Sequence, residues 1–236
     1  MKKNAMNTKG FTLIEIIFAL FIGVLLLATI YISMISGQRS SAALEDRVNA
    51  QQDARAALEL MAMEIGMASY NPNYVTGIWR DPGVCANASA SQIYKGIQTA
   101  TVNAVTVEMD IGETGAVGDT GNEVIAFVYD TANQRITRET NCGGAQPFLG
   151  DVPGTPGRSV RVINNTLNIP MFRYFNGVGA EIAAAGLPAG IPNIRRIEIT
   201  LAVETEDVDP NIPGTNQRRR MIYSTSVIMR NHAINL

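Results

Sequence analysis

The residue of most chemical interest near the N-terminus is Glu15, an acid beside a long stretch without charge. Residues 16–35 carry no charged side chain, whereas Lys2, Lys3 and Lys9 precede them. A carboxylate at the edge of an apolar segment is costly unless it pairs with a cation or reaches water. The pattern therefore predicts either an ion pair that involves Glu15 or a glutamate that snorkels to the membrane surface.

The uncharged stretch has the length of a membrane-spanning helix. Twenty residues of α-helix extend for about 30 Å, which is the thickness of the hydrocarbon core of a bilayer. Because the flanking lysines lie only on the N-terminal side, the sequence predicts a single pass with a cytoplasmic N-terminus and an exported remainder. A buried core helix is a weaker alternative. So is a secretory signal cut beyond residue 35, because the apolar core of such a signal is shorter.

The junction that precedes the apolar stretch reads KGFTLIE over residues 9–15. It resembles the class III signal of type IV pilins and of the pseudopilins of type II secretion. The resemblance implies that a prepilin peptidase removes residues 1–10 as a cytoplasmic leader, cutting between Gly10 and Phe11, and that Phe11 becomes the N-methylated N-terminus. It also implies that Glu15 meets the freed amine of a neighbouring subunit and fixes the register of assembly.

A second helical segment follows the apolar one. Residues 38–70 contain no proline, and an Asn-Pro pair at 71–72 supplies a stop. We predict residues 11–36 as a transmembrane and filament-core helix and residues 37–70 as an amphipathic stem. Apolar residues at helical spacing predict one buried face of the stem: Leu44, Val48, Ala54, Ala57, Leu58, Met61, Ala62, Ile65 and Ala68.

Parts of the chain resemble one subgroup of pilins. Residues 51–65 read QQDARAALELMAMEI, and residues 67–70 read MASY. Both are similar to the stem of PilW-type minor pilins, and residues 172–177, 194–200 and 224–231 also resemble these proteins in their order and spacing. Ile32 stands where many major pilins carry a helix-kinking proline, which argues against a major-pilin role.

Residues 71–236 are predicted to form a periplasmic, β-rich globular head. Residues 72–100 are rich in turn formers and small residues and are interpreted as a loop. The fold class is α+β, a long N-terminal helix packed on a mostly antiparallel sheet, as the resemblance to pilins also implies. Alternating or apolar runs predict strands at residues 104–111, 123–129, 135–138, 160–163, 171–175, 194–203 and 221–229.

Two cysteines could form one covalent link in the head. Cys85 and Cys142 lie in loop-like stretches that would face an oxidising periplasm. This placement predicts a disulfide between them, and two unpaired thiols are the alternative.

A run of carboxylates after the first predicted strand could hold calcium, because hard cations prefer several oxygen ligands on a flexible loop. The run lacks the residue spacing of the EF-hand calcium loop, and an ordinary solvated hairpin loop is the preferred interpretation. We predict no other metal site and no cofactor. The calcium candidates are Asp110, Glu113, Asp119 and Glu123.

The composition disfavours an enzyme and a nucleic-acid-binding protein. His232 is the one histidine, and no HExxH, GxSxG or P-loop motif occurs, so we predict no catalytic residue. Formal net charge is −2, and without the three leader lysines 16 basic side chains face 21 acidic ones. Nucleic-acid surfaces need clustered positive charge, so the basic run at residues 218–220 is interpreted as a solvated strand end.

Together these features predict a structural minor pilin that helps initiate a type IV pilus or caps it, with effects on twitching motility and cell adhesion. The expected partners are other pilins along the N-terminal helix, the prepilin peptidase, an inner-membrane assembly platform and, before assembly, membrane lipid. The expected location is the inner membrane with a periplasmic head, then the pilus on the cell surface. Two alternatives stay open: a type II secretion pseudopilin, and a filament-borne adhesin or DNA-binding module.

Overall fold

The structure is a computed structural model that describes residues 10–83, 94–150, 160–208 and 218–233. The chain divides into two compact units, Met1–Glu45 and Asp46–Leu236. Helix α1, Leu13–Gly66, contributes residues to both units. The described residues of the second unit form nine strands in two antiparallel sheets, so the predicted α+β class is confirmed.

Helix α1 ends before the predicted stop. The Asn-Pro pair at residues 71–72 placed the end near residue 70, whereas the helix ends at Gly66 and residues 67–69 form a turn. Ser69 takes a left-handed backbone conformation with φ of 64°, and its N–H donates to the carbonyl oxygen of Glu108 at 2.7 Å. The helix therefore ends where Ser69 bonds to the backbone of the sheet, before the chain reaches the proline.

In the second unit, the buried face of α1 supplies much of the core. Leu58, Met61 and Ile65 are buried, as their helical spacing predicts, and Met61 and Ile65 are fully enclosed. Leu44 and Val48 belong to the same predicted stripe but are 58% and 48% exposed. This part of the prediction is wrong because the buried face of the helix begins at Ala50.

The first sheet is a meander in which each strand pairs with the next. Predicted strands at residues 123–129 and 135–138 are confirmed with small shifts, and the strand predicted over 104–111 ends at Glu108. Two strands were not predicted, the first in the stretch interpreted as a loop and the last in an unassigned region. The five strands are β1 (Ile97–Ala100), β2 (Ala104–Glu108), β3 (Val124–Asp130), β4 (Arg135–Thr140) and β5 (Gln146–Gly150).

The second sheet is built around its longest strand. Its strands are β6 (Val160–Val162), β7 (Phe172–Phe175), β8 (Arg196–Val208) and β9 (Arg218–Ile228). Strand β8 pairs with β9 along one edge and with both β6 and β7 along the other. The strands predicted at residues 194–203 and 221–229 are confirmed as β8 and β9, which pair with Ile199 opposite Thr225.

Short helices complete the second unit. Helix α2 spans Leu187–Gly190, and 3-10 turns span Ala184–Gly186, Ile191–Asn193 and Asn231–Ala233. The last of these turns carries His232 into a buried position next to the residues that follow α1.

Hydrogen bonds join the two sheets around one hydrophobic core. The Tyr174 hydroxyl donates to the carbonyl oxygens of Thr101 at 2.8 Å and Ala104 at 3.0 Å, while the Tyr129 hydroxyl donates to Val162 at 2.9 Å. Tyr174 is 1% exposed, so its hydroxyl needs these partners. The bonds of Tyr174 hold β7 against the turn between β1 and β2, and the bond of Tyr129 holds β3 against β6.

Candidate functional site

The start of α1 is organised by a capping box. Thr12 precedes the helix, and its backbone N–H and hydroxyl both donate to Glu15 Oε2, at 2.8 and 2.9 Å. The Thr12 hydroxyl oxygen in turn accepts the Glu15 N–H at 3.4 Å. Thr-x-x-Glu before an apolar helix is a sequence signature of this motif, and the sequence analysis did not use it.

The capping box leaves part of Glu15 available. Both side-chain bonds use Oε2, so Oε1 can still accept a hydrogen bond from another donor. Gly10 and Phe11 precede the helix in an exposed, non-helical segment. A Cβ placed on Gly10 would meet no atom within 4 Å. The fold described here therefore gives no steric reason for glycine at this position.

The helix surface that follows is apolar and exposed. Along the described part of the first unit the large apolar side chains other than Ile35 are each at least half exposed, and the most apolar 18-residue window of α1 has no buried residue. The helix is long and apolar enough to cross a membrane. A surface of this size and character marks contact with lipid or with other proteins. Examples are Phe11 at 85%, Leu20 at 67%, Leu27 at 68% and Ile32 at 66% exposure.

The predicted calcium loop is a hairpin connection between β2 and β3, built on two buried carboxylates. Glu123 Oε2 accepts N–H bonds from Gly118, Asp119 and Thr120 at 2.8 to 3.1 Å, and Oε1 accepts one from Gly112 at 3.0 Å. Its side chain is fully buried.

Asp110, like Glu123, accepts backbone hydrogen bonds within this loop, at its other end. Its oxygens accept the N–H groups of Thr114 at 3.1 Å and Gly115 at 2.9 Å, and the residue is fully buried. The interpretation as a simple solvated loop was therefore incomplete. Among the residues that the structure describes, no group of three or more possible ligands could hold a metal ion.

A buried polar cluster at β2 was also missed. Glu108 is a charged residue at the end of β2, yet it is fully buried. Gln98 donates to Glu108 Oε1 at 2.5 Å, and the Arg80 N–H lies 3.2 and 3.1 Å from the two carboxylate oxygens. Burial is the main cause that raises the pKa of Glu108 to about 7, against the lowering effect of these hydrogen bonds.

His232 has a serine neighbour that sequence inspection could not reveal. Its Nδ1 lies 2.8 Å from Ser69 Oγ and 2.9 Å from the Lys95 carbonyl oxygen, and its Nε2 lies 2.9 Å from the Ile191 carbonyl oxygen. Ser69 Oγ also donates to the Lys95 carbonyl oxygen. Both ring nitrogens thus face backbone groups, and no carboxylate of the described residues hydrogen-bonds to the ring, so the arrangement is that of a structural cross-link. Burial lowers the pKa of His232.

Two further predictions concern the head. Cys142 lies in the turn after β4, but Cys85 lies outside the described residues, so the disulfide stays a prediction.

In the basic run at residues 218–220, Arg218 and Arg220 form ion pairs with Glu204 at 3.7 and 3.3 Å. These two positive charges are partly neutralised within the sheet.

Comparison with known proteins bears on the N-terminal segment. Residues 5–31 match the family described as the prokaryotic N-terminal methylation motif, a stretch that includes Gly10, Phe11 and Glu15. No curated protein and no solved structure matches the chain. The chain therefore carries a prepilin-type signal, which supports a subunit of the type IV pilin or pseudopilin class. This class is structural and implies processing by a prepilin peptidase, membrane anchoring and assembly with other pilins.

Proposed function

We propose that this protein is a minor pilin that helps to initiate a type IV pilus or caps its tip. The observation that carries the proposal is the methylation motif over residues 5–31, followed by an apolar helix with an exposed surface. The second unit, an α+β fold that includes the C-terminal part of α1, would serve as the head of the subunit.

Processing creates the group that assembly needs. Hydrolysis between Gly10 and Phe11 leaves a carboxylate on the leader and an ammonium on Phe11, which methylation keeps basic. In a filament, this ammonium approaches Glu15 of an adjacent subunit. A charge pair away from water is a strong device for register, because either partner left alone is penalised.

The apolar helix needs an apolar environment both before and after assembly. In the membrane, lipid covers residues such as Leu20 and Leu27, which are 67% and 68% exposed in the isolated chain. As the filament grows, equivalent helices replace lipid around the same side chains, so packing substitutes for the bilayer. The partners are other minor and major pilins and the inner-membrane platform, and the location changes from inner membrane to cell surface.

A type II secretion pseudopilin is the second candidate, because the methylation motif fits both classes. The PilW-like residues 51–65 and 224–231 favour the pilus. A deletion strain separates the two: loss of surface pili and twitching supports the minor pilin, whereas exoproteins trapped in the periplasm support the pseudopilin. Loss of adhesion or DNA uptake with pili intact would favour a filament-borne binding module instead.

The direct test is intact mass and N-terminal sequencing of the protein extracted from membranes. The expected product begins at methylated Phe11. A product that retains Met1, or one that begins beyond residue 35, would overturn the assignment to a processed pilin.

A further inference from the structure

A pocket of about 220 Å³ lies in the second unit, beside the turn that ends α1 and the turn that carries His232. Three aromatic rings line it, those of Tyr70, Tyr74 and Trp79. Tyr74 is 60% exposed, so its ring is accessible to a ligand. Pockets for drug-sized ligands are roughly 300–1,000 Å³, so this pocket suits a single small ring.

Hydrogen bonds between its lining residues fix the walls of the pocket. His232 connects to Ser69 at 2.8 Å, and the Asn71 side chain donates to the Val75 carbonyl oxygen at 2.9 Å and accepts the Val75 N–H at 3.1 Å. These contacts hold the two sides of the cavity without a ligand. A preformed site loses little conformational entropy when it binds.

Backbone strain is concentrated at the same place. Ser69, Tyr74 and Lys95 all line the pocket and all have positive φ, at 64°, 52° and 47°. A left-handed conformation is costly for residues with a side chain, above all for a bulky one. Strained residues that cluster around one cavity are typical of functional sites.

Several polar groups at the pocket have no partner. The side chains of Tyr70, Tyr74, Thr76 and Asn231 make no hydrogen bond to any other residue that the structure describes. They offer three hydroxyl groups and one amide beside the aromatic rings. Tyr74 and Thr76 are exposed, so water can reach these groups in the free protein. A ligand with its own donors and acceptors can replace that water, whereas an apolar ligand would leave the groups that it covers unpaired.

We propose that this pocket binds one sugar ring of a glycan. The C–H faces of a pyranose pack against aromatic rings, while its hydroxyl groups donate to and accept from hydroxyl and amide side chains. A proline-rich peptide would also pack on the rings, but it has few groups to pair with Thr76 and Asn231. The binding does not depend on the role of the chain in pilus assembly, so either proposal can fail alone.

The test uses the full chain in a polyoxyethylene detergent, which contains no sugar. Trp79 is the one tryptophan of the chain and lines the pocket, so its fluorescence reports on the site. Methyl glycosides of glucose, galactose, mannose, N-acetylglucosamine, N-acetylgalactosamine and sialic acid are titrated in turn, with saturation-transfer NMR as a second readout. We expect saturable binding of at least one of them.

Variants connect the binding to the pocket. Tyr74→Ala removes an exposed ring and is expected to weaken binding about tenfold, with Thr76→Ala as a second variant if the first does not fold. Ile222→Ala on β9, at a residue 56% exposed, is the control and should bind as the parent does. The proposal is overturned if neither readout detects any sugar, if the pocket variants bind like the parent, or if a proline-rich peptide alone binds.

Discussion

The two carboxylate oxygens of Glu15 differ in their contacts. Oε2 accepts the capping hydrogen bonds from Thr12, whereas Oε1 accepts none from the described residues and can accept one from an ammonium group. We therefore expect Glu15→Ala to be cut and methylated normally but to assemble poorly, because the subunit has lost its partner for the amine. Immunoblots of sheared pili against membrane fractions measure this split.

Thr12→Ala separates the cap from the ion pair. It removes the hydroxyl that bonds Glu15 and lowers helix stability at this end by roughly 1 kcal/mol, yet it keeps the carboxylate. Assembly should therefore persist in Thr12→Ala and be lost in Glu15→Ala. If both variants assemble alike, Glu15 acts only as a capping residue, and its role in register is wrong.

Gly10 tests the peptidase rather than the fold. Because a Cβ at Gly10 meets open space, Gly10→Val should fold normally and remain uncut, and intact mass should show the leader still attached. Gly23→Val is the matched control, since Gly23 also has no atom within 4 Å of a Cβ. A cut Gly10→Val protein would place the processing site elsewhere.

An ion pair links α1 to β4 beside the hydrophobic core. Arg138 holds Glu64 with two bonds, at 2.9 and 2.7 Å, and the Glu64 side chain is only 12% exposed. Removal of one partner leaves a half-buried charge, so Glu64→Ala should lower the free energy of unfolding by about 1–3 kcal/mol. Urea unfolding followed by circular dichroism gives the value.

An exposed ion pair on the same chain provides the comparison. Arg173 and Glu181 are 38% and 43% exposed, and such pairs contribute at most about 1 kcal/mol. Glu181→Ala should therefore have the smaller effect. Equal losses of unfolding free energy in the two variants would mean that the Glu64–Arg138 pair stabilises the fold no more than an exposed ion pair does.

Elements with strong periodicity could be predicted from the sequence, and short or interrupted ones could not. Residues 194–203 were predicted as a strand from their alternation, in which Ile197 and Ile199 share one face, and both are fully buried in β8. Strand β5 contains Pro147, which normally argues against a strand, but β5 is an edge strand and tolerates it. Strand β1 is four residues long and has an irregular register, so it gave no pattern to read.

The candidate sites show the same limit: local motifs could be predicted from the sequence, and contacts between distant residues could not. The methylation motif is local and was legible from residues 9–15, as was the capping box that includes Glu15. The contact between Ser69 and His232 joins residues 163 positions apart, and the enclosure of Glu108 depends on Gln98 from another strand. Tertiary packing decides such contacts, and no spacing in the sequence encodes them.

At the scale of the whole molecule, stability should depend on pH through two buried groups with opposite signs. The pKa of Glu108 is raised from 4.5 to about 7, so the folded state holds a proton that the unfolded state has lost. Its contribution is complete below pH 4.5 and is lost as the pH rises through 7. His232 has a lowered pKa, so its contribution is present above pH 6.5 and declines as the pH falls through its folded pKa.

Glu108→Gln isolates the first of these contributions. The variant cannot ionise at this position, so the difference in unfolding free energy between parent and variant should fall by roughly 3 kcal/mol from pH 4.5 to 7. The change of this difference with pH is diagnostic, because a general packing defect would lower the unfolding free energy of the variant equally at every pH. Urea unfolding in steps of pH measures it, and His232→Gln should change the slope in the opposite sense. A pH-independent difference for Glu108→Gln would mean that Glu108 is ionised in the fold and that solvent or a cation reaches it.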